Sequence, residues 1–454
     1  MPQSTTLAEP KTERQRTLLG GDLKAFRRDP LAFLTELYRQ GGKTAPIRLG
    51  PQKITVLFDP EMIKEVLVTK SESFIKGATF KEIARFVGDG LVISDGEKHK
   101  RHRRMLQPHF TRAHIQHYAE QMTDIASAHA ELWKDGEERL LTEDLFGITF
   151  DIIARTVFTF ESGEELMKIG RSYSSINRIA TEKMRTLFKL PLFVPTKRNK
   201  EYLDAIKTLD EIVYTLISQR RTEKDTAHRD LLSVLMSAVD ESDQSEFSDE
   251  QVRDELMTMF LAGHETTANT LSWTFHYLIQ NPEAERKLRE EWDRVLGERD
   301  ATADDYPQLT YTQNVLWETL RLTPAGYLTG RTAAHDVIVG DHQFRKEEIL
   351  FISSFPLHRS SDYFPDPLVF RPERFENEML KTIPQFAYFP FGGGPRACIG
   401  NHYAMLEMVM VLCAIGRRFR FRLAPNHHEI VPEALLTLRP KGGIRVIANK
   451  QEVN

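Results

Sequence analysis

The chain has 454 residues, 41% of them apolar and 28% charged, enough material for one large core or for two to three ordinary domains. Its 61 basic and 65 acidic residues leave a net charge of -4, which gives no global push toward nucleic acid. Two cysteines exclude a disulfide-built secreted scaffold and suit a reducing compartment.

The first 20 residues, MPQSTTLAEPKTERQRTLLG, are polar and lack the apolar core of a secretory signal. No stretch supplies the about 20 apolar residues needed to cross a bilayer. The expectation is a soluble cytoplasmic protein without a membrane anchor, with a flexible segment over 1–20 and one domain over 21–454. Residues 23–38 read as a helix, and KTAPIRLGPQKITVLFDPE as two strands around the turn at Gly50 and Pro51. GATFKEIARFVGDG, 77–90, reads as a connection with a helical fragment. Helical patterns then cover most of 97–140, and 144–160, 163–186 and 197–220, broken by Pro191 and Pro195. A short apolar helix follows at 231–239. Ser248 is an N-cap with Gln251 three residues on, opening an apolar pattern of about 30 residues that ends at Asn281 and Pro282. Further helices fall at 283–296, 310–322 and 403–415, with strands in HDVIVG and ILFISS. No repeat or low-complexity tract divides the chain, so a mainly α domain with minor sheets is expected.

Four groups of residues carry chemistry. FPFGGGPRACIG, 389–400, holds Cys398. Glycines 392–394 permit conformations and close approaches that side chains obstruct, Gly400 relieves crowding after the thiol, and the helix behind offers N–H groups to a thiolate. By itself this reads either as a ligand or nucleophile or as a buried structural cysteine. Zinc is disfavoured, since no CxxC or histidine cluster completes a site. Cys413, in the apolar run VMVLCAIG, reads as a packed core thiol. AGHETT, 262–267, sets polar residues in the long apolar helix. Ala262 and Gly263 are small enough for a planar ligand to approach, and Thr266 can open a local groove by releasing a backbone carbonyl; the alternative is that Glu265 and Thr266 simply face solvent. Glu318 and Arg321, three apart, form either a buried or a surface pair. HKRHRRMLQPHF, 99–110, is dense in basic residues, which suits an acidic partner or an ordinary solvated face.

FGGGPRACIG resembles the cysteine loop of the cytochrome P450 family, Phe-x-x-Gly-x-Arg/His-x-Cys-x-Gly, with Phe391, Gly394, Arg396, Cys398 and Gly400 in its fixed positions. AGHETT resembles that family's oxygen-binding element, and Glu318 and Arg321 its Glu-x-x-Arg pair, joined by Arg374 of PERF. His99 and Arg103 match its Trp/His-x-x-x-Arg pattern. The resemblance runs from about residue 25 to 447 and implies the P450 fold, with a long central helix, minor β-sheets and bound haem b. It makes Cys398 the proximal thiolate ligand of the iron, which favours O–O cleavage. Phe391 then packs beside that ligand, Ala262 and Gly263 adjoin the macrocycle, and Arg396, His99, Arg103 and Arg331 meet the propionates. Thr266 is the hydroxyl that steadies dioxygen and relays protons, and Glu265 the acid that links this relay to solvent. Glu318, Arg321 and Arg374 are structural. His264, at the variable position, points away from the iron.

The implied activity is insertion of one oxygen atom from O2 into a C–H bond of a hydrophobic small molecule, such as a fatty acid, terpenoid or steroid. Electrons come from a separate ferredoxin or flavodoxin with its NAD(P)H-dependent reductase, the basic surplus at Lys98, Lys100, Arg101 and Arg104 being one candidate docking patch. By matching family positions, Phe80, Phe86, Ala262, Thr266, Ala325, Tyr327, Leu328 and Leu435 line the substrate pocket. Rival readings are a hydrogen-peroxide-dependent peroxygenase of the same fold and a non-enzymatic haem or ligand-binding protein. The sequence departs from the family at Glu347, near an expected glycine, where an altered turn is anticipated.

Overall fold

This computed structural model describes residues 21–158, 164–185, 191–222, 230–240, 244–376 and 378–451. The segment expected to be flexible, 1–20, lies outside them.

In place of one helix over 23–38 there are two, α1 (Leu23–Arg28) and α2 (Pro30–Arg39). Pro30 disfavours helical geometry at the preceding residue. Asp29 is therefore extended and caps α2, accepting a hydrogen bond from Ala32 N at 3.0 Å. Strands β1 (Thr44–Leu49) and β2 (Gln52–Leu57) form the expected hairpin, with Gly50 at φ 63°, followed by α3 (Pro60–Lys64). Next come β3 (Phe74–Ile75), α4 (Lys81–Val87), α5 (Gly96–Leu106), α6 (Arg112–Ile115) and α7 (Ala119–Glu131). The stretch read as helical to 140 instead ends in β4 (Glu137–Leu140). Helices α8 (Leu141–Phe158), α9 (Glu164–Arg185), α10 (Lys197–Thr222) and α11 (Leu231–Ser237) follow the apolar periodicity.

Helix α12 (Asp249–Gln280) has 32 residues. Its start is a reciprocal capping box, Ser248 N donating to Gln251 Oε1 at 3.0 Å and Gln251 N to Ser248 Oγ at 3.2 Å. Pro282 ends it and opens α13 (Pro282–Leu296), before α14 (Thr310–Leu322). Strands β5 (Leu328–Ala333), β6 (Val337–Val339), β7 (His342–Phe344) and β8 (Ile349–Ser353) precede α15 (Ser354–Leu357). After the cysteine loop come α16 (Asn401–Arg418), β9 (Phe419–Leu423), β10 (Pro432–Ala434), β11 (Leu438–Pro440) and β12 (Arg445–Lys450).

The chain gathers into two compact units. The first comprises the N-terminal stretch to Ile75, Ile115–Ile148 and Glu265 to the C-terminus; the second comprises Lys76–His114 and Thr149–His264. The first unit carries a five-stranded sheet in the order β1-β2-β8-β5-β3, in which β2 and β8 run parallel with Ile54 opposite Ile349. A three-stranded sheet, β4-β12-β9, and the hairpins β6-β7 and β10-β11 complete its strands among the described residues. A core cluster beneath the large sheet joins Leu57, Met62, Ile63, Leu350 and Leu357 to Phe386 and Phe389. Each such side chain stabilises the fold by about 1.5–3 kcal/mol, and the two phenylalanines carry that anchorage to the mouth of the cysteine loop. In the second unit, Phe150, Tyr173 and Phe260 surround His264 with ring centroids 4.3–5.9 Å from its imidazole. No helix among the described residues is long and apolar enough to cross a membrane.

Candidate active site

The two cysteines have opposite environments, and neither is in a disulfide. Cys413 is buried in α16, where loss of solvation pushes its thiol well above the ordinary range. Cys398 is exposed, in a loop closed on itself. Cys398 N donates to Phe391 O at 2.8 Å, Gly392 N to Phe389 O at 2.9 Å and Ala397 N to Gly394 O at 3.0 Å. Gly392 and Gly394 sit at φ 72° and 65°, the left-handed region that side chains resist. A Cβ on Gly394 would lie 1.9 Å from the Leu67 carbonyl oxygen, and one on Gly393 would lie 2.3 Å from the Phe386 ring. The glycines therefore seat the loop against its own protein scaffold. A Cβ at Gly400 meets no atom of the chain within 4 Å, so the crowding expected there does not come from protein. Phe391 is half-buried and meets Trp317 edge-on at 5.7 Å.

Behind the loop, Glu318 and Arg321 of α14 are completely buried, and Arg374 is 7% exposed. Arg321 holds Glu318 bidentately, Nε to Oε2 at 2.7 Å and Nη2 to Oε1 at 2.8 Å; Arg374 Nε adds a bond at 3.2 Å and Arg371 N another at 2.8 Å. The remaining guanidinium donors go to backbone carbonyls: Arg321 to His358 and Pro367, and Arg374 to Pro365 and Asp366. His358 in turn accepts from Phe389 N at 3.0 Å. Burial pushes its imidazole down to about 3, so a neutral ring receives that bond. One buried carboxylate thus fixes the chain from 358 to 389, the approach to Cys398.

Ala262 is exposed and Thr266 half-buried, one turn apart on the same face of α12. The helix is continuous through them, so the expected local opening does not interrupt it. His264 is buried, its Nδ1 3.0 Å from Phe260 O, which agrees with its assignment to another face. Glu265 is 2% exposed, which rules out the solvent-facing alternative for this residue. Its Oε1 accepts a hydrogen bond from Thr437 Oγ1 at 2.7 Å, and Thr437 Oγ1 accepts one from Asn269 Nδ2 at 3.0 Å. Thr437 and Asn269 were not singled out from the sequence. Asn269, four residues after Glu265 in an apolar helix, was a readable signal; Thr437, a lone threonine far along the chain, was not. Glu407 of α16 is likewise buried, and desolvation holds its carboxyl well above the usual range against a lowering hydrogen bond from Thr267.

Ala325 and Tyr327 are buried, and Leu328 and Leu435 are half-buried. The Tyr327 ring packs in a core cluster with Leu31, Phe355 and Leu438, and its hydroxyl donates to Leu435 O at 3.0 Å. Arg331, on β5, is 6% exposed and its Nη1 donates to Thr329 Oγ1 and Gly330 O. Arg396 is half-buried.

In the second unit, α5 presents His99, 4% exposed, and Arg103 at helical spacing i, i+4. The helix is fixed by His102, whose Nδ1 lies 2.5 Å from Glu255 Oε1 in full burial, while Glu255 Oε2 accepts from Leu91 N. Arg103 Nε donates to Gln107 Oε1 at 2.7 Å. Each residue of the basic surplus has an acidic neighbour, four cations sharing three carboxylates: Lys98 pairs with Asp89, Lys100 with Glu97, and Arg101 and Arg104 with Asp240. Phe80 is half-buried beneath Lys76 Nζ, and Phe86 is buried edge-on to Tyr173.

The donor set fits a haem. Cys398 offers one exposed thiol close before the N-terminus of α16, whereas no cluster of three His, Cys, Asp or Glu among the described residues is arranged to hold a bare metal ion. A helical fold with one such thiol and a buried Glu-Arg-Arg anchor suits a haem-binding protein. The family model for cytochrome P450 matches residues 10–447, and the chain belongs to the cytochrome P450 family as a monooxygenase. It is 33% identical over 435 residues to cyclooctatin synthase of Streptomyces melanosporofaciens, covering 94% of this chain and 93% of that protein. It is 32% identical to pentalenene oxygenase of Streptomyces avermitilis, covering 90% and 91%. Among solved structures, the haem domain of cytochrome P450DA superposes with a TM-score of 0.86 at 26% identity, over 93% of each chain.

Proposed function

We propose that this chain, working as one haem domain, inserts one oxygen atom of O2 into a C–H bond of a neutral terpenoid. The electrons come from a separate ferredoxin or flavodoxin and its NAD(P)H-dependent reductase. The observation that carries the reading is the exposed Cys398 thiol in a loop that two left-handed glycines and the buried Glu318 anchor hold in place. Relatives whose names refer to pentalenene and to cyclooctat-9-en-7-ol favour a terpenoid over a fatty acid. So does the pocket assigned from the sequence, in which Ala262, Ala325, Leu328 and Leu435 supply apolar surface and no cation to anchor a carboxylate.

Cys398 would hold a haem through its sulfur, Arg396, Arg331, His99 and Arg103 would balance the charge of its carboxylates, and the group would supply the oxygen activation. The protein's part is ligation, orientation and protons. The N–H groups at the start of α16 favour the thiolate form of Cys398 over the thiol. Thr266 Oγ1 is the hydroxyl that passes on protons received from the side of Glu265. The apolar lining excludes water and orients the substrate.

Reduced protein treated with carbon monoxide is expected to give the red-shifted Soret band of thiolate ligation, and Cys398→Ser to lose it; a normal band in the serine variant would overturn the assignment. Terpenoids are then screened for a low-to-high-spin shift, and the oxygenated product of the best binder is identified with redox partners supplied. Turnover with hydrogen peroxide alone, unaffected by Thr266→Ala, would establish the peroxygenase reading instead.

A further inference from the structure

We propose that Thr437 is a positioning residue of the proton relay: its hydroxyl ties the carboxyl of Glu265 to the turn of the β10-β11 hairpin, making the relay acid and a substrate-facing turn one mechanical unit. The proposal rests on the relay role of Glu265.

The hydrogen-bond order follows from donor counting. A threonine hydroxyl has one proton. Because Asn269 Nδ2 donates into Thr437 Oγ1 at 3.0 Å, that proton is directed to Glu265 Oε1 at 2.7 Å. Asn269, Thr437 and Glu265 are 0%, 6% and 2% exposed, so water does not compete for these bonds. Glu265, Asn269 and Trp273 recur at i, i+4 and i+8, and each of the last two reaches the same hairpin, Trp273 Nε1 donating to Leu438 O at 3.2 Å. Thr266 lies about 100° round the helix from Glu265. The carboxyl is therefore parked on the hairpin side, one residue from the hydroxyl it serves, and how firmly Thr437 holds it sets how readily it delivers a proton.

The turn that provides Thr437 is itself clamped to the pocket wall. Leu435 N donates to Thr437 O at 3.1 Å, Tyr327 Oη to Leu435 O at 3.0 Å, and Leu438 N to Ala325 O at 3.1 Å. Ser353 Oγ donates to Tyr327 O at 2.8 Å, fixing that segment on the end of β8. Burial pushes the Tyr327 hydroxyl up to about 12, so it remains a donor near neutral pH. A substrate pressing on Leu435 thus moves the residue that holds the acid.

The test compares haem-loaded wild type with Thr437→Val, which keeps shape and removes the donor, with Thr437→Ser, which restores it, with Glu265→Gln, and with the T437V/E265Q double variant. Amide hydrogen exchange at Leu435 and Leu438 without substrate is expected to quicken at least tenfold in T437V and to stay near wild type in T437S. In turnover with pentalenene, or with the strongest spin-shift terpenoid if pentalenene gives none, T437V is expected to release several-fold more hydrogen peroxide per NAD(P)H. Its kcat falls several-fold with KM within twofold, and T437S restores both. E265Q is expected to uncouple equally, and the double variant to be no worse than either single. Unchanged coupling in T437V while E265Q uncouples overturns the positioning role and leaves the relay reading standing, as does additivity in the double variant. Unchanged coupling in E265Q overturns the relay reading and this proposal together.

Discussion

The approach to Cys398 and the turn of the β10-β11 hairpin are anchored by different physics. The first hangs on buried charge: Glu318 and Arg321 are fully buried, and their bonds reach from 318 to 374. The second hangs on neutral bonds from Tyr327, Trp273 and backbone amides, with one hydroxyl on a carboxyl. Removing one partner of a buried ion pair costs about 3–5 kcal/mol, whereas a neutral hydrogen bond contributes about 0.5–1.5 kcal/mol. The contrast separates a scaffold that must not move from a wall that can adapt to its guest. Glu318→Ala is the sharpest way to break it. It strands Arg321 and Arg374 in the interior, and we expect a loss of about 3–5 kcal/mol together with failure to retain haem, read by chemical denaturation and by the haem-to-protein absorbance ratio. Gln at the same position, which keeps the shape, should remain strongly destabilised, because the charge is what the two guanidiniums require.

The next largest effect is expected in the cysteine loop. Gly394→Ala places a methyl 1.9 Å from the Leu67 carbonyl oxygen and demands φ 65° of a side-chain-bearing residue. The left-handed conformation costs about 1–2 kcal/mol and the overpacking about 1–3 kcal/mol, so a destabilisation near 3 kcal/mol is expected. Gly400→Ala meets no atom of the chain. It should leave the stability of the haem-free protein within about 0.5 kcal/mol while lowering haem affinity. Equal losses at the two glycines in the haem-free protein would show that the loop is not seated as described.

The same contrast explains what the sequence made readable. Buried charge and special backbone geometry need particular residue types at fixed spacings, so Glu318, Arg321, PERF, the three glycines and Cys398 announced themselves. The long helix was equally legible, because Ser248, Gln251 and Pro282 mark its ends. Neutral, long-range ties leave no such mark. Thr437 meets Glu265 across 172 positions, and β4 pairs with β12 through Leu140 opposite Arg445, so neither partner is visible locally. The basic run around Lys98, read as either a docking patch or a solvated face, hides its long-range tie in the same way: the acid beside Arg104 is Asp240, 136 positions on and 1% exposed.

Acid should act on the rigid region. The folded-state value of His358 is about 3 against an ordinary 6.5. The unfolded chain therefore takes up a proton below 6.5 that the folded protein refuses. The stabilisation is fully present above pH 6.5 and is lost as pH falls toward 3, amounting to about 2 kcal/mol by pH 5. His276, pushed down to about 4 chiefly by burial, contributes in the same direction. Denaturation midpoints measured from pH 7.5 to 5 should fall, and His358→Gln should flatten part of that slope. A profile that is flat or rises over this range would contradict a neutral buried imidazole at 358.

The smallest expected effect lies at the sequence's departure from its family. Glu347 stands near an expected glycine, where an altered turn was anticipated. The glutamate adopts φ 68°, a conformation glycine takes without strain, and its N–H bonds Ala333 O at 2.8 Å. The ladder between β5 and β8 enforces this, since Arg331 faces Leu350 and Thr332 faces Ile349 immediately beside the turn. The backbone here is held by its sheet partners, and the side chain is exposed and decides little. Glu347→Gly removes about 1–2 kcal/mol of left-handed strain and restores about 0.5–1 kcal/mol of unfolded-state freedom, for a net gain near 0.5 kcal/mol. The melting temperature should rise by about 1 °C, with the carbon monoxide spectrum unchanged. A loss of stability would mean that the Glu347 side chain holds the turn, placing it with the buried charges of the scaffold instead of with the neutral ties of the pocket wall.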